Sequence, residues 1–217
     1  MVTFDCYGTL IDWEAGIARA FRDAAEAADR PFTAADAVRA HAEIEPRVEA
    51  EGYRSYRDVL RETARRVAAR MRWPPDPGGG AFLADSVPSW TPFPDTNAAL
   101  LRLSQAGVSL GILSNVDEDL LDATVRHFPV RFEVRVTAEQ VRSYKPAAAH
   151  FLAARAALGG RRWLHAAQSY FHDVAPAKAL GVPVVWVNRK GETAGPAGPP
   201  LHETRDLAGL ADWLIGG

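Results

Sequence analysis

Four short polar stretches of the 217-residue sequence carry residue types that can do chemistry, and each follows an apolar run. The first is Val2–Leu10, in which Asp5 is followed by Tyr7, Gly8 and Thr9. A carboxylate such as that of Asp5 can act as a nucleophile and form a covalent ester. Gly8 can take backbone angles that other residues avoid, and the Thr9 hydroxyl can bond a neighbouring oxygen. The pattern predicts a buried strand that places Asp5 in a loop at the carboxyl end of that strand.

The other three stretches contain Ser114-Asn115, Lys145 and Asp173. A lysine beside Asp5 would keep that carboxylate ionised and would attract an anionic substrate. Ligand sites of open parallel sheets form at the carboxyl ends of the strands. We therefore expect these residues to lie at one edge of a sheet together with Asp5.

Strands and helices alternate after Asp95, which predicts a parallel sheet wound with helices on both faces. The predicted strands cover 109–113, 132–136, 164–167 and 184–187, and the predicted helices cover 96–105, 118–127, 148–158, 174–180 and 207–214. The fold class is therefore α/β with a doubly wound, Rossmann-like parallel sheet.

The segment between the first strand and this alternation reads as helical throughout. Apolar residues recur at helical spacing over 13–29, from Thr33 onward, over 53–71 and over 81–86, with Pro46 expected to kink or divide the second helix. No convincing strand interrupts them. The sequence predicts an α/β core at 1–12 and 93–217 and a helical domain inserted at 13–92.

In order along the chain, the four stretches resemble the four motifs of the haloacid dehalogenase superfamily. The matching runs are Phe4-Asp5-Cys6-Tyr7-Gly8-Thr9-Leu10, Leu113-Ser114-Asn115, Ser143-Tyr144-Lys145-Pro146 and Gln168-Ser169-Tyr170-Phe171-His172-Asp173. The resemblance implies that the helical insertion is a cap that closes over Asp5. It also implies that Asp5 is the nucleophile, with Lys145 and Asp173 as the further catalytic residues.

The position two residues after the nucleophile separates branches of the superfamily. Phosphatase branches have a second Asp there to protonate the leaving alkoxide, whereas this chain has Tyr7, and a halide needs no proton to leave. Magnesium-dependent phosphatases also usually have a carboxylate where this chain has Ser169, and its loss weakens a site for an ion that prefers hard oxygen ligands. The chain is thus similar to the 2-haloacid dehalogenases, which implies cleavage of a carbon–halogen bond in a small 2-haloacid without a metal or other cofactor.

The substrate-binding residues implied by the resemblance are Tyr7, Thr9, Arg39, Ser114, Asn115 and Tyr170. Ser114, Lys145 and backbone N–H groups would hold the substrate carboxylate, and Arg39 and Asn115 would receive the halide. Arg47 and Arg54 are alternatives to Arg39. Two departures bear on substrate size and hydrolytic efficiency, since the family usually has Asn at the position of Tyr170 and Tyr at that of Phe151.

Two other functions fit the same motifs. One is a phosphatase of a small phosphorylated metabolite that uses Asp5 and Mg²⁺. The other is a catalytically weak binding protein with this fold. Release of halide, metal-dependent release of phosphate, or neither would separate the three.

Composition narrows the range of partners. The net charge of −2 gives no general reason to expect a nucleic acid or an anionic membrane as partner. A single cysteine, Cys6, excludes an intrachain disulfide, suits a reducing cytoplasm and is expected to be small core filler. No apolar run reaches the roughly 18 residues of a membrane helix. We expect a cytoplasmic enzyme that binds a small anionic substrate, and the resemblance implies a homodimer.

Overall fold

Six parallel strands form one sheet in the computed structural model, which describes residues 1–74 and 76–216. They are β1 (Val2–Phe4), β2 (Leu110–Ser114), β3 (Val134–Thr137), β4 (Leu164–Ala167), β5 (Val184–Val187) and β6 (His202–Thr204). Their order across the sheet is β3-β2-β1-β4-β5-β6. The predicted α/β fold class is confirmed. Pro75 of the predicted insertion and Gly217 of the predicted core lie outside the described residues.

The helices follow the predicted order, with two differences in detail. They are α1 (Trp13–Ala27), α2 (Ala34–Ala50), α3 (Tyr56–Arg70), α4 (Ala81–Ser86), α5 (Thr96–Gln105), α6 (Glu118–Thr124), α7 (Ala138–Val141), α8 (Ala149–Leu158), α9 (Ala175–Ala179) and α10 (Leu207–Gly216). The prediction missed α7 and β6, which are short. A π-helical turn at Tyr170–Val174 precedes α9, so the turn begins four residues before the predicted helix start at Val174.

The strand order predicts a ligand-binding crevice next to Asp5. From β1 the chain adds β2 and β3 on one side, and then β4, β5 and β6 on the other. Because parallel crossovers are right-handed, this reversal puts the connecting helices on opposite faces of the sheet. Sheets of this order bind ligands at the carboxyl ends of the two strands that flank the reversal. Asp5 directly follows β1, which is one of those two strands.

The sheet is held by apolar packing on its helices. One buried cluster joins β2, β3 and β5 to α8 and α9, and its members are Leu113, Val134, Val136, Phe151, Ala154, Leu158, Val174, Ala177, Val182, Val184 and Trp186. Separately, α5 and α10 pack on each other, and α10 contacts β5 and β6. Cys6 is fully buried, as predicted for a core filler, and burial raises the pKa of its thiol well above the ordinary value. The thiol is therefore protonated and unreactive.

The described chain divides into two compact units. One contains the sheet and comprises Met1–Asp12, Pro92–Asn115 and the chain from Val125 onward; the other is helical and comprises Trp13–Thr91 and Val116–Thr124. The helical unit therefore takes in residues 116–124, which the predicted insertion at 13–92 does not include. Within it α2 continues through Pro46 as one helix, so the proline does not divide it. No helix of the described chain has both the length and the apolarity needed to cross a membrane.

Asp117 connects two helices of the helical unit. It is 4% exposed, and its Oδ1 and Oδ2 accept hydrogen bonds from the backbone N–H groups of Tyr56 (2.8 Å) and Arg57 (2.9 Å). These donors belong to the first turn of α3, where backbone N–H groups have no partner inside the helix. The helix dipole also favours a negative charge at this position. Asp117 therefore caps α3 from the segment that precedes α6.

Replacement of Asp117 by Ala should lower the free energy of unfolding by about 1–3 kcal/mol, because it leaves two amide donors unpaired in a buried place. Urea denaturation measures the change. Asp119→Ala is the matched control, since Asp119 forms an exposed ion pair with Arg57 (2.6 Å) and its loss should cost less than about 1 kcal/mol. Equal losses in the two variants would contradict the capping role of Asp117.

Candidate active site

A buried ammonium joins two carboxylates at the carboxyl ends of β1 and β4. The Lys145 Nζ donates to Asp5 Oδ1 at 2.8 Å and to Asp173 Oδ1 at 2.6 Å. It also donates to the backbone carbonyl of Leu113, at 2.9 Å, near the end of β2. The side chains of Lys145 and Asp173 are each 1% exposed, and that of Asp5 is 10% exposed. Since an ammonium has three N–H donors, all of them are engaged and the group is fixed in place.

The two carboxylates have different proton affinities. Burial alone would raise the pKa of Asp173, but the ammonium of Lys145 and a hydrogen bond from His165 hold it well below its usual range. Burial raises the pKa of Asp5 above its usual value, because Lys145 and Thr9 only partly offset the loss of water and Asp173 adds a second negative charge. Burial would likewise lower the pKa of Lys145, but the two carboxylates hold it well above normal. Asp5 is thus the more basic carboxylate, and Asp173 remains ionised.

The loop after β1 fixes the second oxygen of Asp5. Gly8 has a φ of 98°, in the left-handed region that favours glycine, and its N–H donates to the carbonyl of Ile11 at 2.8 Å. This turn brings the Thr9 hydroxyl to 2.9 Å from Asp5 Oδ2, to which it donates. The same hydroxyl accepts from the backbone N–H of Gln168, also at 2.9 Å, just after β4. Both oxygens of Asp5 therefore accept a hydrogen bond, which suits an ionised carboxylate.

The residues after β2 have two different roles in this geometry. The Asn115 side chain accepts from the Lys145 backbone N–H at 2.7 Å and donates to the Lys145 carbonyl at 3.1 Å, so it fixes the backbone of the lysine. Ser114 is fully buried, and its Oγ has no hydrogen-bond partner within the described part of the chain. A buried hydroxyl without a partner is unusual in a native protein. The substrate-binding role of Ser114 stays a prediction.

The two tyrosines predicted to bind substrate are held in different ways. Tyr7 is half-buried, and its backbone forms an isolated bridge with Ile11 in the same loop. The Tyr170 hydroxyl lies 2.7 Å and 3.0 Å from the carbonyl oxygens of Gly198 and Gly195, to which it donates. Its ring packs edge-on against Trp186, with centroids 5.3 Å apart. Tyr170 thus anchors the loop that contains these glycines, and contacts of both tyrosines with substrate stay predictions.

Arg39 lies on α2 in the helical unit. Its side chain is 62% exposed, and its guanidinium forms an ion pair with Asp36 on the same helix. Both residues line a groove of about 340 Å³ in this unit, together with Arg70, which pairs with Glu43 at 2.5 Å. Each arginine of the groove is thus matched by an acid. The halide-binding role of Arg39 stays a prediction.

His41 also lies on α2. Its ring is 3% exposed, and neither nitrogen has a hydrogen-bond partner among residues 1–74 and 76–216. Trp13 packs beside it, with ring centroids 5.7 Å apart. Burial lowers the pKa of His41 to about 3, so the ring is neutral.

Arg189 supports the site from outside the four motifs. Its Nη2 donates to the carbonyl of Thr9 at 2.9 Å, and its guanidinium pairs with Asp95 and stacks 4.0 Å above the ring centroid of Phe93. Arg189 therefore holds the loop that positions Thr9 against Asp5. These partners are 180 and 94 positions away in the sequence, so no local spacing indicates the contact.

Replacement of Lys145 by Met should lower the free energy of unfolding at pH 7.5 by about 3–5 kcal/mol, because it leaves two buried carboxylates without a counter-charge. In the wild type, Asp173 has a depressed pKa and stabilises the fold above the unfolded pKa of about 3.9, a contribution lost as the pH falls. In the variant, protonation relieves the buried charge as the pH falls. The difference in the free energy of unfolding between wild type and Lys145→Met, measured by urea denaturation, should therefore be smaller at pH 4.5 than at pH 7.5.

Lys178→Met is the control for this measurement, since Lys178 donates to the carbonyl of Pro199 in an exposed contact. It should change stability little at either pH. A difference in the free energy of unfolding between wild type and Lys145→Met that did not change with pH would contradict the pairing of Lys145 with the two buried carboxylates.

Part of the sequence is similar to known (S)-2-haloacid dehalogenases. The (S)-2-haloacid dehalogenase H-109 of Pseudomonas putida is 34% identical over 128 residues, and a second (S)-2-haloacid dehalogenase of Pseudomonas putida is 30% identical over 137 residues. The matched segments cover 57% and 61% of this chain, and 57% and 60% of the relatives' own lengths.

The fold has close structural neighbours as well. The crystal structure of the defluorinating L-2-haloacid dehalogenase Rha0230 superposes with a TM-score of 0.86 at 24% identity, covering 98% of this chain and 94% of that one. At this identity the likeness shows the fold. The model of the haloacid dehalogenase-like hydrolases matches residues 1–181, which is most of the chain. The chain belongs to the haloacid dehalogenase-like hydrolase family.

Proposed function

We propose that the protein hydrolyses the carbon–halogen bond of a small 2-haloacid through an ester on Asp5. The observation that carries the proposal is the Lys145 ammonium, which lies 2.8 Å from Asp5 and 2.6 Å from Asp173 and places a positive charge between the two carboxylates. Tyr7 stands where an acid for an alkoxide leaving group would be needed. The names of the two Pseudomonas relatives support the substrate class, and they make the S enantiomer the first substrate to test.

In the first step an oxygen of Asp5 attacks the carbon that bears the halogen. A carbon–oxygen bond forms as the carbon–halogen bond breaks, and the halide leaves with the bonding electrons. Attack from the side opposite the halogen inverts the configuration of that carbon. The raised pKa of Asp5 favours this step, because a more basic carboxylate is a better nucleophile.

In the second step water hydrolyses the ester. The water oxygen bonds to the carboxyl carbon of Asp5, and a proton passes to Asp173 Oδ2, which is buried and has no partner within the described chain. The ester bond breaks, and the departing 2-hydroxyacid oxygen takes up the proton. Asp5 is restored with one oxygen that came from water.

The proposed substrate-binding residues include one hydroxyl without a partner and several groups that already form hydrogen bonds within the protein. The unpartnered Ser114 hydroxyl suits the substrate carboxylate. Lys145 acts on that carboxylate through its charge, because its three N–H donors are engaged. Thr9, Tyr7 and Tyr170 complete the proposed binding residues. We propose that Arg39 and Asn115 bind the departing halide. We also propose that the enzyme is a cytoplasmic homodimer.

The donor atoms do not fit a magnesium site of the phosphatase kind. Mg²⁺ prefers several hard oxygen ligands in octahedral geometry. Asp5 and Asp173 share one ammonium, and position 169 carries a serine whose Oγ accepts from the backbone N–H of His172 at 3.0 Å. No group of three or more His, Cys, Asp and Glu side chains in residues 1–74 and 76–216 could hold a metal ion. We therefore propose a reaction without a metal.

Asp5→Asn should reduce halide release from (S)-2-chloropropionate at least about a thousandfold, since the amide is nearly the same shape but a far poorer nucleophile. Halide release and thermal unfolding are measured together. Asp212→Asn is the control, because Asp212 pairs with Arg102 at the surface, and this variant should retain full activity. A retained tenth of the wild-type rate in Asp5→Asn would remove Asp5 as the nucleophile.

Halide release should survive chelation of divalent metals within about twofold, because a halide can leave without a Lewis acid and the donor set is poor for Mg²⁺. The assay compares enzyme dialysed against EDTA with the same enzyme given Mg²⁺, on 2-chloropropionate and on p-nitrophenyl phosphate. Strict dependence on Mg²⁺, with release of phosphate instead of halide, would support the phosphatase. Absence of both activities would support a binding protein.

A further inference from the structure

A buried hydrogen-bonded chain extends from the catalytic carboxylates into the sheet. His165 Nε2 lies 3.0 Å from Asp173 Oδ1, and His165 Nδ1 lies 2.9 Å from the Thr3 hydroxyl. The indole N–H of Trp163 donates to the same hydroxyl at 2.7 Å. Thr3 and His165 are both fully buried, and they face each other in the register of β1 and β4. The chain thus joins two neighbouring strands behind the site.

The polar atoms of this chain admit one consistent set of protons. Trp163 can only donate, so Thr3 Oγ1 accepts from it and uses its own proton to donate to His165 Nδ1. His165 Nε2 must then carry a proton, which it donates to Asp173 Oδ1. A doubly protonated ring would donate to Thr3 as well, and the threonine proton would have no acceptor in the described part of the chain. The geometry therefore selects the neutral imidazole with the proton on Nε2.

The ring of His165 is also held by packing. The Phe151 ring lies edge-on to the imidazole, with ring centroids 5.3 Å apart. The centroids of the Phe151 and Trp163 rings are 6.4 Å apart. Phe151 itself is 1% exposed and belongs to the apolar cluster under the sheet. A rotation of the imidazole would break hydrogen bonds at both nitrogens and disturb this packing. His165 is therefore a rigid donor with a defined direction.

We propose that His165 is a positioning residue for the hydrolysis of the ester on Asp5. Lys145 and His165 both donate to Oδ1 of Asp173, so this oxygen is occupied and the carboxylate cannot turn. The other oxygen, Oδ2, then faces the attacking water and receives its proton. His165 touches neither substrate nor water, and acts through Asp173. The inference rests on the proposed function, because it concerns the second step of that reaction.

The arrangement separates the two chemical steps. Formation of the ester needs Asp5 and Lys145, neither of which His165 contacts among its hydrogen bonds. Hydrolysis of the ester needs Asp173 both ionised and oriented. Loss of the donor on His165 should therefore slow the second step and leave the first nearly unchanged. A purely structural histidine would affect both steps together.

The test compares His165→Leu, His165→Gln and Leu210→Ala in single turnovers with (S)-2-chloropropionate, quenched in acid and read by intact-protein mass. In His165→Leu, ester hydrolysis should slow about a hundredfold, so that the enzyme–substrate adduct accumulates. The variant removes the donor that orients Asp173, and proton transfer to a positioned group typically contributes a factor of this size. His165→Gln can still donate to Asp173 and should hydrolyse the ester within about tenfold of the wild-type rate. Leu210→Ala changes a buried residue on α10. It is the control for a destabilised fold in which the hydrogen bonds of His165 are unchanged.

The dependence of ester hydrolysis on pH gives a second readout. The titratable groups around Asp173 are Lys145, Asp5, His165, His150 and His172. The hydrogen bond from His165 lowers the pKa of Asp173, so its removal should raise that pKa. Hydrolysis in His165→Leu should therefore fail at higher pH than in the wild type as the solution is acidified, and the glutamine variant should restore the original profile.

A measurement without substrate separates this inference from the proposed function. In protein labelled with ¹⁵N-histidine, the His165 signals are identified by their loss in His165→Gln. At pH 7 they should show a protonated Nε2 and an unprotonated, hydrogen-bonded Nδ1. If no haloacid forms an adduct with the wild type, the proposed reaction is wrong. The tautomer of His165 still shows whether the hydrogen bonds from Thr3 through His165 to Asp173 are present. A charged ring, a proton on Nδ1, or wild-type ester hydrolysis in His165→Leu would each overturn the inference.

Discussion

The buried ammonium of Lys145 is the interaction on which the rest of the site depends. Three ionisable groups lie largely or wholly buried there, and such burial is tolerated only where every group is paired and hydrogen-bonded. Lys145 meets this condition by donating to Asp5, Asp173 and the carbonyl of Leu113. These acceptors follow or end three different strands, β1, β4 and β2. Because a shift by one residue would turn the side chains of a strand to the other face, the register of the sheet and the charges of the site depend on each other.

The same charges give the two carboxylates different properties. Burial and the negative charge of Asp173 raise the pKa of Asp5, although Asp5 accepts hydrogen bonds from Lys145 and Thr9. Asp173 accepts hydrogen bonds from Lys145 and from His165, and these interactions outweigh its burial and lower its pKa. Titratable pairs whose environments separate their pKa values in this way commonly divide the work of a reaction. In the proposed reaction the more basic group, Asp5, attacks carbon. Asp173, which is ionised before the reaction, orients the water and takes up its proton during hydrolysis.

Sequence patterns predicted most of the fold where the signal is local. Periodic apolar residues and flanking breakers gave α4, α5, β4 and β5 with the bounds that the structure shows. The edge strand β6 was missed because three residues carry no pattern of their own, and its pairing with β5 defines it. The start of the turn before α9 was also misplaced. Ser169 accepts from the N–H of His172 and initiates a π turn, an effect that apolar spacing does not report.

For the site, local sequence identified Asp5, Thr9, Lys145 and Asp173, which the structure brings into one hydrogen-bonded group. Strand ends are predictable, and a parallel sheet places them at one edge. The residues that orient this group were not predicted. Thr3 and His165 are 162 positions apart, and their contact exists only through the pairing of β1 with β4. The anchoring of Tyr170 to the glycines of a later loop depends in the same way on tertiary structure.

The most direct test of the covalent route is a single turnover in H₂¹⁸O, with enzyme in excess over (S)-2-chloropropionate. If water attacks the carboxyl carbon of an ester on Asp5, the heavy oxygen remains in the enzyme. Mass analysis should then locate it in the peptide that contains Asp5, and the first 2-hydroxyacid released should be unlabelled. Label in the hydroxyacid from the first turnover, with none in that peptide, would mean that water attacks the substrate directly and would contradict the ester mechanism.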